Sequence, residues 1–458
     1  MLQRKIQDSL IKWKKTKNHK SLMIFGARQV GKTYSIRAFG NSNYESVVEI
    51  NFAERPDAAN IFEGNLDPDT LLTNISADIG AGRLIPGKTL IFLDEIQECP
   101  AAITSLKFWN SDDRYDIIAT GSMLGLNYKF QGSYPVGNVE YLDMHSLDFE
   151  EFLWAIRTDR SVINEVKKCF ENRKKVSNAI HAKMLSNLKK YMVLGGMPEV
   201  ITTYLETGDI SAADSVQRRL YRDYIMDIAH YAPARDKIKA EKCYRSIPNQ
   251  LNKENHKFQY SIVESKGTAN KFGNSVDWLK NSFYVTQVFN VKRIEYPLEN
   301  YVDETNFRLY PTDIGLLVAS YDFSLKKALL EDGTLEDTGN GLIIGTAKGG
   351  LYEALAADML TKNGHGNIFF YKDIKSTAEL EFIIPSVDGA LPIEIKAGKK
   401  RANSLYNILD NSHIPFGYKL SSQNVGVSDK KVTLLCLVVS KTKQTTVINP
   451  FKTTKKAI

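Results

Sequence analysis

Lys32 and Thr33 end the run Gly26-Ala27-Arg28-Gln29-Val30-Gly31-Lys32-Thr33, in which four residues separate two glycines and a lysine and a hydroxyl follow at once. Those residue types in that order suit phosphate chemistry. Glycine at 26 and 31 lets the backbone curl until successive N–H groups point inward at an anion. The partial positive charge of a helix N-terminus adds to the same place. Lys32 would reach the β- and γ-phosphates of ATP, and the Thr33 hydroxyl would ligate Mg²⁺. Asp94 and Glu95 supply a second half of the chemistry, at the end of the apolar run Thr89-Leu90-Ile91-Phe92-Leu93. Asp94 would hold Mg²⁺ directly or through water, and Glu95 would polarise the attacking water as a general base. Thr120 and Ser122 follow a third apolar run, Tyr115-Asp116-Ile117-Ile118-Ala119. Hydroxyls there orient the water or sense the γ-phosphate, or else cap a turn.

These groups need elements to position them. Ser21-Leu22-Met23-Ile24-Phe25 reads as a buried strand and Tyr34 to Phe39 as the first turns of a helix, so strand, loop and helix come in order. A continuous apolar run suits a central parallel strand, and its acids emerge at the carboxyl end, where open α/β sheets bind ligands. From about 20 to 145 short apolar strands alternate with helical patterns, as in an α/β unit. Asp148 then reads as an N-cap with Glu151 three residues on, opening a helix-rich region broken at Gly195-Gly196-Met197-Pro198. From 236 to 318 the pattern is short helices followed by strands, with a helix expected to start at Ser275 after Gly273 and a strand over Phe283 to Phe289. That order suits a small winged-helix module. Glu331 to Gly341 reads as a linker, and a last α/β unit follows with a helix over Leu351 to Lys362 and three strands.

Composition sets the class. At 458 residues the length suggests about three domains. With 43% hydrophobic and 25% charged residues the chain is ordinary globular protein. No apolar run reaches the roughly 20 residues that span a bilayer. Met1 to Lys20 is rich in lysine and lacks the apolar centre of a secretory signal; Ile6, Leu10, Ile11 and Trp13 give it an amphipathic helical pattern. The four cysteines are scattered without zinc-ligand spacing, which points to reduced thiols and a cytoplasmic setting. A net charge of +7 permits nucleic-acid contact without requiring it.

A second group of acids lies near the C-terminus. Strand alternation puts Glu394 and Lys396 on one face, with Glu381 on the preceding strand and Glu353 on the helix before it. Carboxylates that hold a metal, with a lysine that activates water, would serve a Mg²⁺-dependent phosphodiesterase; the same residues also suit surface salt bridges.

The chain resembles the prokaryotic AAA-type ATPases that carry a C-terminal domain of unknown function. Carrying the resemblance are Phe25 to Thr33, Leu93-Asp94-Glu95-Ile96-Gln97, Thr120-Gly121-Ser122, Leu147 to Leu153, Gly195-Gly196-Met197-Pro198-Glu199 and Pro392-Ile393-Glu394-Ile395-Lys396. It implies an α/β P-loop core over 1–145, a helical lid over 146–235, a winged-helix-like module over 236–325 and a restriction-endonuclease-like domain over 340–450. It also implies ATP–Mg²⁺ binding by Gly26 to Thr33 with Asp94, hydrolysis assisted by Glu95 and a sensor near Ser122. Where relatives often carry a basic residue after Tyr134-Pro135-Val136-Gly137 this chain has Asn138, leaving Arg218, Arg219 and Arg222 as candidates to contact a γ-phosphate. Where such nucleases often carry Asp it has Glu381. The expected function is an Mg²⁺-dependent ATPase that switches or remodels a macromolecular partner such as nucleic acid. The alternatives are an ATP-regulated metal-dependent nuclease, with Glu353, Glu381, Glu394 and Lys396 as its site, and a nucleotide sensor that docks a protein partner; a homo-oligomer is a separate expectation.

Overall fold

β1 (Ser21–Phe25) and β3 (Thr89–Asp94) are buried along their whole length. Strands covered on both faces can only be central, and that decides the first sheet. The computed structural model describes residues 2–80, 82–110, 112–121, 135, 137–331, 345–373, 378–386, 389–396, 402–410, 414, 416–428 and 431–435. With β2 (Ser46–Asn51), β4 (Asp116–Gly121) and β5 (Val139–Asp143), the first sheet has the order β2-β3-β4-β1-β5, and every pairing is parallel. The chain leaves β1 for the helix Lys32–Asn43 and returns at β2, three places away across β4 and β3. Register then brings the carboxyl ends together: Phe25 pairs with Gly121, and Asn51 with Asp94.

The N-terminal helix Ile6–Lys15 buries Ile6, Leu10 and Trp13 against this core, while Ile11 stays half-buried. After β5 five helices follow, Phe149–Ala155, Arg160–Glu171, Asn178–Leu194, Pro198–Thr207 and Ile210–Tyr231. The first carries a full capping box: Asp148 accepts from the Glu151 N–H and Glu151 from that of Asp148. Next come the helices Lys237–Leu251, Tyr260–Val263 and Ala269–Asn281 and two antiparallel strands, β6 (Val285–Val291) and β7 (Val302–Pro311). The expected helix start at Ser275 is six residues late. Gly273 lies inside the helix, and Ser275 is buried among Phe272, Val276 and Leu279, so the core-facing stripe outweighs the glycine. The helix expected from Leu351 begins earlier, at Gly345.

The last strands are β8 (Phe369–Lys372), β9 (Glu379–Ser386), β10 (Gly389–Ile395), β11 (Gly417–Ser421), β12 (Gly426–Ser428) and β13 (Lys431–Leu435), with the helix Asn403–Asp410 between β10 and β11. They join β6 and β7 in one eight-stranded sheet of order β12-β13-β11-β10-β9-β8-β6-β7. The join is parallel, Phe289 to Phe369 and Asn290 to Phe370, and the buried Asn290 side chain accepts from the Lys372 N–H at 2.9 Å. The expected boundary between a middle module and a C-terminal domain therefore runs through a sheet. Most of the expected linker and the whole lysine-rich tail from Lys452 lie outside the described residues.

A buried ionic cluster ties these parts together. Asp313 accepts from Ser146 Oγ at 2.6 Å, from the Gly196 N–H at 2.8 Å and from the Gly315 N–H at 2.8 Å. Lys362 Nζ lies 3.0 Å from Asp313 and 2.8 Å from Asp358, and Tyr191 donates to Asp358 and to Leu147 O, both at 2.9 Å. Gly196 has to be glycine here, because a Cβ would sit 2.0 Å from Leu147 O. Burial pushes the Asp313 carboxyl up, yet Lys362 and the hydrogen bonds outweigh it and hold it below the ordinary value; at Asp358 burial prevails and the carboxyl rises to about 7. Replacing Lys362 by methionine leaves those carboxylates without a cation. Lys362→Met is expected to lower the denaturant midpoint by the equivalent of about 3–5 kcal/mol. Lys327→Met, at an exposed residue whose partner Glu331 is 3.8 Å away, should change stability by less than about 0.5 kcal/mol. Equal midpoints for the two variants would refute the assignment.

Candidate active site

The loop after β1 enters the helix Lys32–Asn43 through left-handed backbone at Gln29 (φ 60) and Gly31 (φ 93), a curl that aims N–H groups to one side. At Gly26 a Cβ would lie 2.0 Å from Met144 O, while the Met144 N–H donates to Phe25 O at 2.7 Å. Only glycine fits there. Lys32 is buried, and its ammonium donates to the carbonyls of Gly26 (3.0 Å) and Ala27 (2.9 Å). Burial lowers its pKa to about 8, against the pull of Glu95 and Asp94. A buried cation whose hydrogen bonds go to neutral carbonyls fits an anion in the loop.

Asp94 is the centre of the other half. Its Oδ2 accepts from Thr33 Oγ1 at 2.9 Å and Asn51 Nδ2 at 3.2 Å; its Oδ1 accepts from Thr120 Oγ1 and from the Glu95 N–H at 3.1 Å. Parallel register explains the convergence, since β2, β3 and β4 end side by side. A hydroxyl and a carboxylate in contact beside a phosphate loop are the donor set that Mg²⁺ takes, so the residues present fit that ion. Glu95 has left-handed backbone (φ 52), and its carboxylate accepts from Gln97 Nε2 at 2.5 Å. Of the two hydroxyls read as water-orienting or sensing groups, Thr120 is buried and engaged with Asp94. Ser122 lies outside the described residues. Arg218 is paired with Asp214 at 2.8 Å, Arg219 with Glu199, and Arg222 is exposed without an ion pair among the described residues.

Several residues that hold the loop carry no local sequence signal. Arg4 donates to Val30 O (2.8 Å) and His145 O (2.6 Å) and pairs with Glu151 at 3.2 Å. Tyr224 donates to Arg28 O at 2.8 Å, and Arg28 pairs with Asp227. Asn51 ends β2 and belongs to no motif of its own. Each is brought in by chain pairing over long separations, which periodicity does not report.

The C-terminal acids have different partners, although Glu353 and Glu394 both act on Glu381. Lys396 bridges Glu394 at 2.9 Å and Glu381 at 3.4 Å, and the Ile395 and Leu405 N–H groups donate to Glu381 and Glu394 at 3.0 and 2.9 Å. Burial lifts the Glu381 carboxyl to about 7, although Lys396 pulls it down. Glu353 is held by Arg308 at 2.9 Å, Tyr310 at 3.0 Å and His256 at 2.7 Å, and its charge adds to the rise at Glu381. Among the described residues no three His, Cys, Asp or Glu side chains are gathered to hold a metal. Residues 397–401, with Lys399, Lys400 and Arg401, lie outside the described ones.

Residues 18–153 match a family described as "AAA domain", and residues 185–327 match one described as "Domain of unknown function (DUF8612)". No curated protein matches the chain. Among solved structures, the Walker-type ATPase PABY2304 of Pyrococcus abyssi is 14% identical, with a TM-score of 0.42 over 70% of this chain and 96% of that one. The Aeropyrum pernix ORC1 protein in complex with DNA is 11% identical, with a TM-score of 0.27 over 72% and 91%. Cdc6p from Pyrobaculum aerophilum is 12% identical, with a TM-score of 0.23 over 71% and 92%. No helix among the described residues is long and apolar enough to cross a membrane. By its family match, its parallel sheet and its phosphate loop, the segment 18–153 is an AAA-type P-loop ATPase domain.

Proposed function

We propose that the protein binds ATP at Gly26 to Thr33 and hydrolyses it. The observation that carries this is the Thr33–Asp94 contact of 2.9 Å beside the buried Lys32 ammonium. Thr33 and Asp94 would hold Mg²⁺, which neutralises phosphate charge when bound. Lys32 pairs with the phosphates, Glu95 accepts the proton of the attacking water, and Thr120 and Asn51 keep Asp94 oriented. Ser122 keeps its proposed place as the sensor. The helices from 149 to 231 serve as the lid, and the order of three helices and two strands that follows them as a winged-helix-like module. Exposed Lys266, Lys271 and Lys280 favour nucleic acid as the partner that ATP turnover switches, with Lys271 also held by Glu264. A nuclease would need Glu353 free to hold a metal with Glu381 and Glu394, and its carboxylate is already met by Arg308, Tyr310 and His256.

Lys32→Ala is expected to abolish ATP binding. Glu95→Gln should bind ATP as before and lose turnover by about 10²-fold or more, because an amide cannot take the proton. Equilibrium binding and phosphate release measured side by side check this; unchanged hydrolysis in Glu95→Gln would sink the general-base assignment.

ATP affinity should also depend on pH. The free ammonium of Lys32 titrates at about 8, and a bound polyanion raises that value. The contribution of Lys32 is therefore full below about 8 and lost as pH rises through and beyond it. Binding titrations between pH 6.5 and 10 give the test, and affinity flat across about 8 to 10 counts against it.

If nucleic acid is the partner, removing one phosphate contact, as in Lys280→Gln, should reduce the salt slope of binding by about one. Absence of any affinity at low salt in a gel or filter assay would refute this part of the reading.

A further inference from the structure

Arg28, the third residue of the phosphate loop, does not point to the carbonyls that take Lys32. Its Nη1 lies 2.8 Å from Asp227 Oδ1, and its Cζ lies 4.0 Å over the Tyr231 ring, both on the helix Ile210–Tyr231. Tyr224 of the same helix holds the loop through the Arg28 carbonyl at 2.8 Å. The phosphate loop and the last turns of this long helix are therefore joined by one side chain and one backbone bond.

The ion pair is placed so that it can open. Arg28 and Asp227 are 24% and 23% exposed, so water reaches both groups when the pair opens. Burial holds the Asp227 carboxyl above its ordinary value in spite of Arg28, with Asp223 adding to the rise and His230 and Arg28 opposing it. On the other side, Lys32 is held below its ordinary value by burial first, with the positive charge of Arg28 adding to it. Two cations thus share one loop; Arg28 is in direct contact with a carboxylate, while Lys32 feels Glu95 and Asp94 only at longer range. A polyphosphate would satisfy both. The planar fork of a guanidinium matches carboxylate and phosphate equally well, so an exchange of partner costs little geometry.

We propose that Arg28 is a nucleotide-responsive latch: without nucleotide it holds Asp227 and Tyr231, and the terminal phosphates of ATP draw it off them. This rests on the reading that the loop binds ATP. The Tyr224 bond uses the backbone carbonyl and stays in place, so release frees only the turns after Tyr224. Those turns lead through residues 232–236 into the helix Lys237–Leu251, the first element of the middle module. Occupancy of the loop is reported there as loss of one tether. The rival view is a permanent staple, which fixes the helix whatever the loop contains.

The test is amide hydrogen exchange over 225–231, with and without Mg²⁺ and a non-hydrolysable ATP analogue, together with analogue affinity for wild type, Asp227→Asn and Tyr231→Leu. The analogue is expected to speed exchange several-fold in the wild type. Asp227→Asn should exchange fast from the start and bind the analogue on the order of fivefold more tightly, since no carboxylate competes for Arg28. Tyr231→Leu should move both readouts the same way and less far. A wild type that binds the analogue with exchange over 225–231 unchanged or slower overturns the latch and leaves the ATP reading intact. A wild type that binds no analogue removes both.

Discussion

A carboxylate out of water keeps its charge only if the chain around it supplies donors, and at Asp313 this chain does so from three distant places. Ser146 follows the edge strand of the first sheet, Gly196 lies in the turn between the helices Asn178–Leu194 and Pro198–Thr207, and Lys362 ends the helix that opens the C-terminal part. Break any one of these and the others are left with polar groups that have nowhere to turn. Apolar packing could bring the same elements near one another. It could not fix their separation to a few tenths of an ångström, as a lysine between two aspartates does.

The same logic explains the carboxyl end of the first sheet, where the phosphate loop lies. Asp94 is nearly inaccessible, and its four donors come from the loop helix, β2, β4 and its own backbone neighbour. Its orientation is set before any ligand arrives, and such preorganisation spares reorganisation at the moment of reaction. Glu95 is held less tightly, by Gln97 two residues on, and its left-handed backbone turns it out of the strand direction.

Much of this was legible in the sequence, for a physical reason: phosphate loops, apolar strands that end in acids, and the Asp148–Glu151 capping box are local patterns, each contained in fewer than ten or so residues. The strand, loop and helix around Lys32 could be read from that stretch alone. What was not legible depends on pairing at long range. Asn51 matters only because β2 lies beside β3, and Arg4 only because the first helix folds back on the loop. Gly273 misled in the opposite direction, since a glycine signal is weak against a helix face that buries Phe272, Val276 and Leu279. Among the C-terminal acids, strand alternation could put Glu394 and Lys396 on one face, but it could not show that Arg308, from β7, meets Glu353.

That β6 and β8 are hydrogen-bonded neighbours has a consequence for how such a chain can evolve. Recombination usually exchanges pieces that close their own surfaces. Here a cut between residues 331 and 345 would leave each piece with a raw strand edge, open to pairing with any other chain. A foreign C-terminal piece would be accepted only if its first strand ran parallel to β6 and offered a partner for the Asn290 side chain. The two parts therefore close each other's surface, as one folding unit that the order of elements along the chain would divide in two.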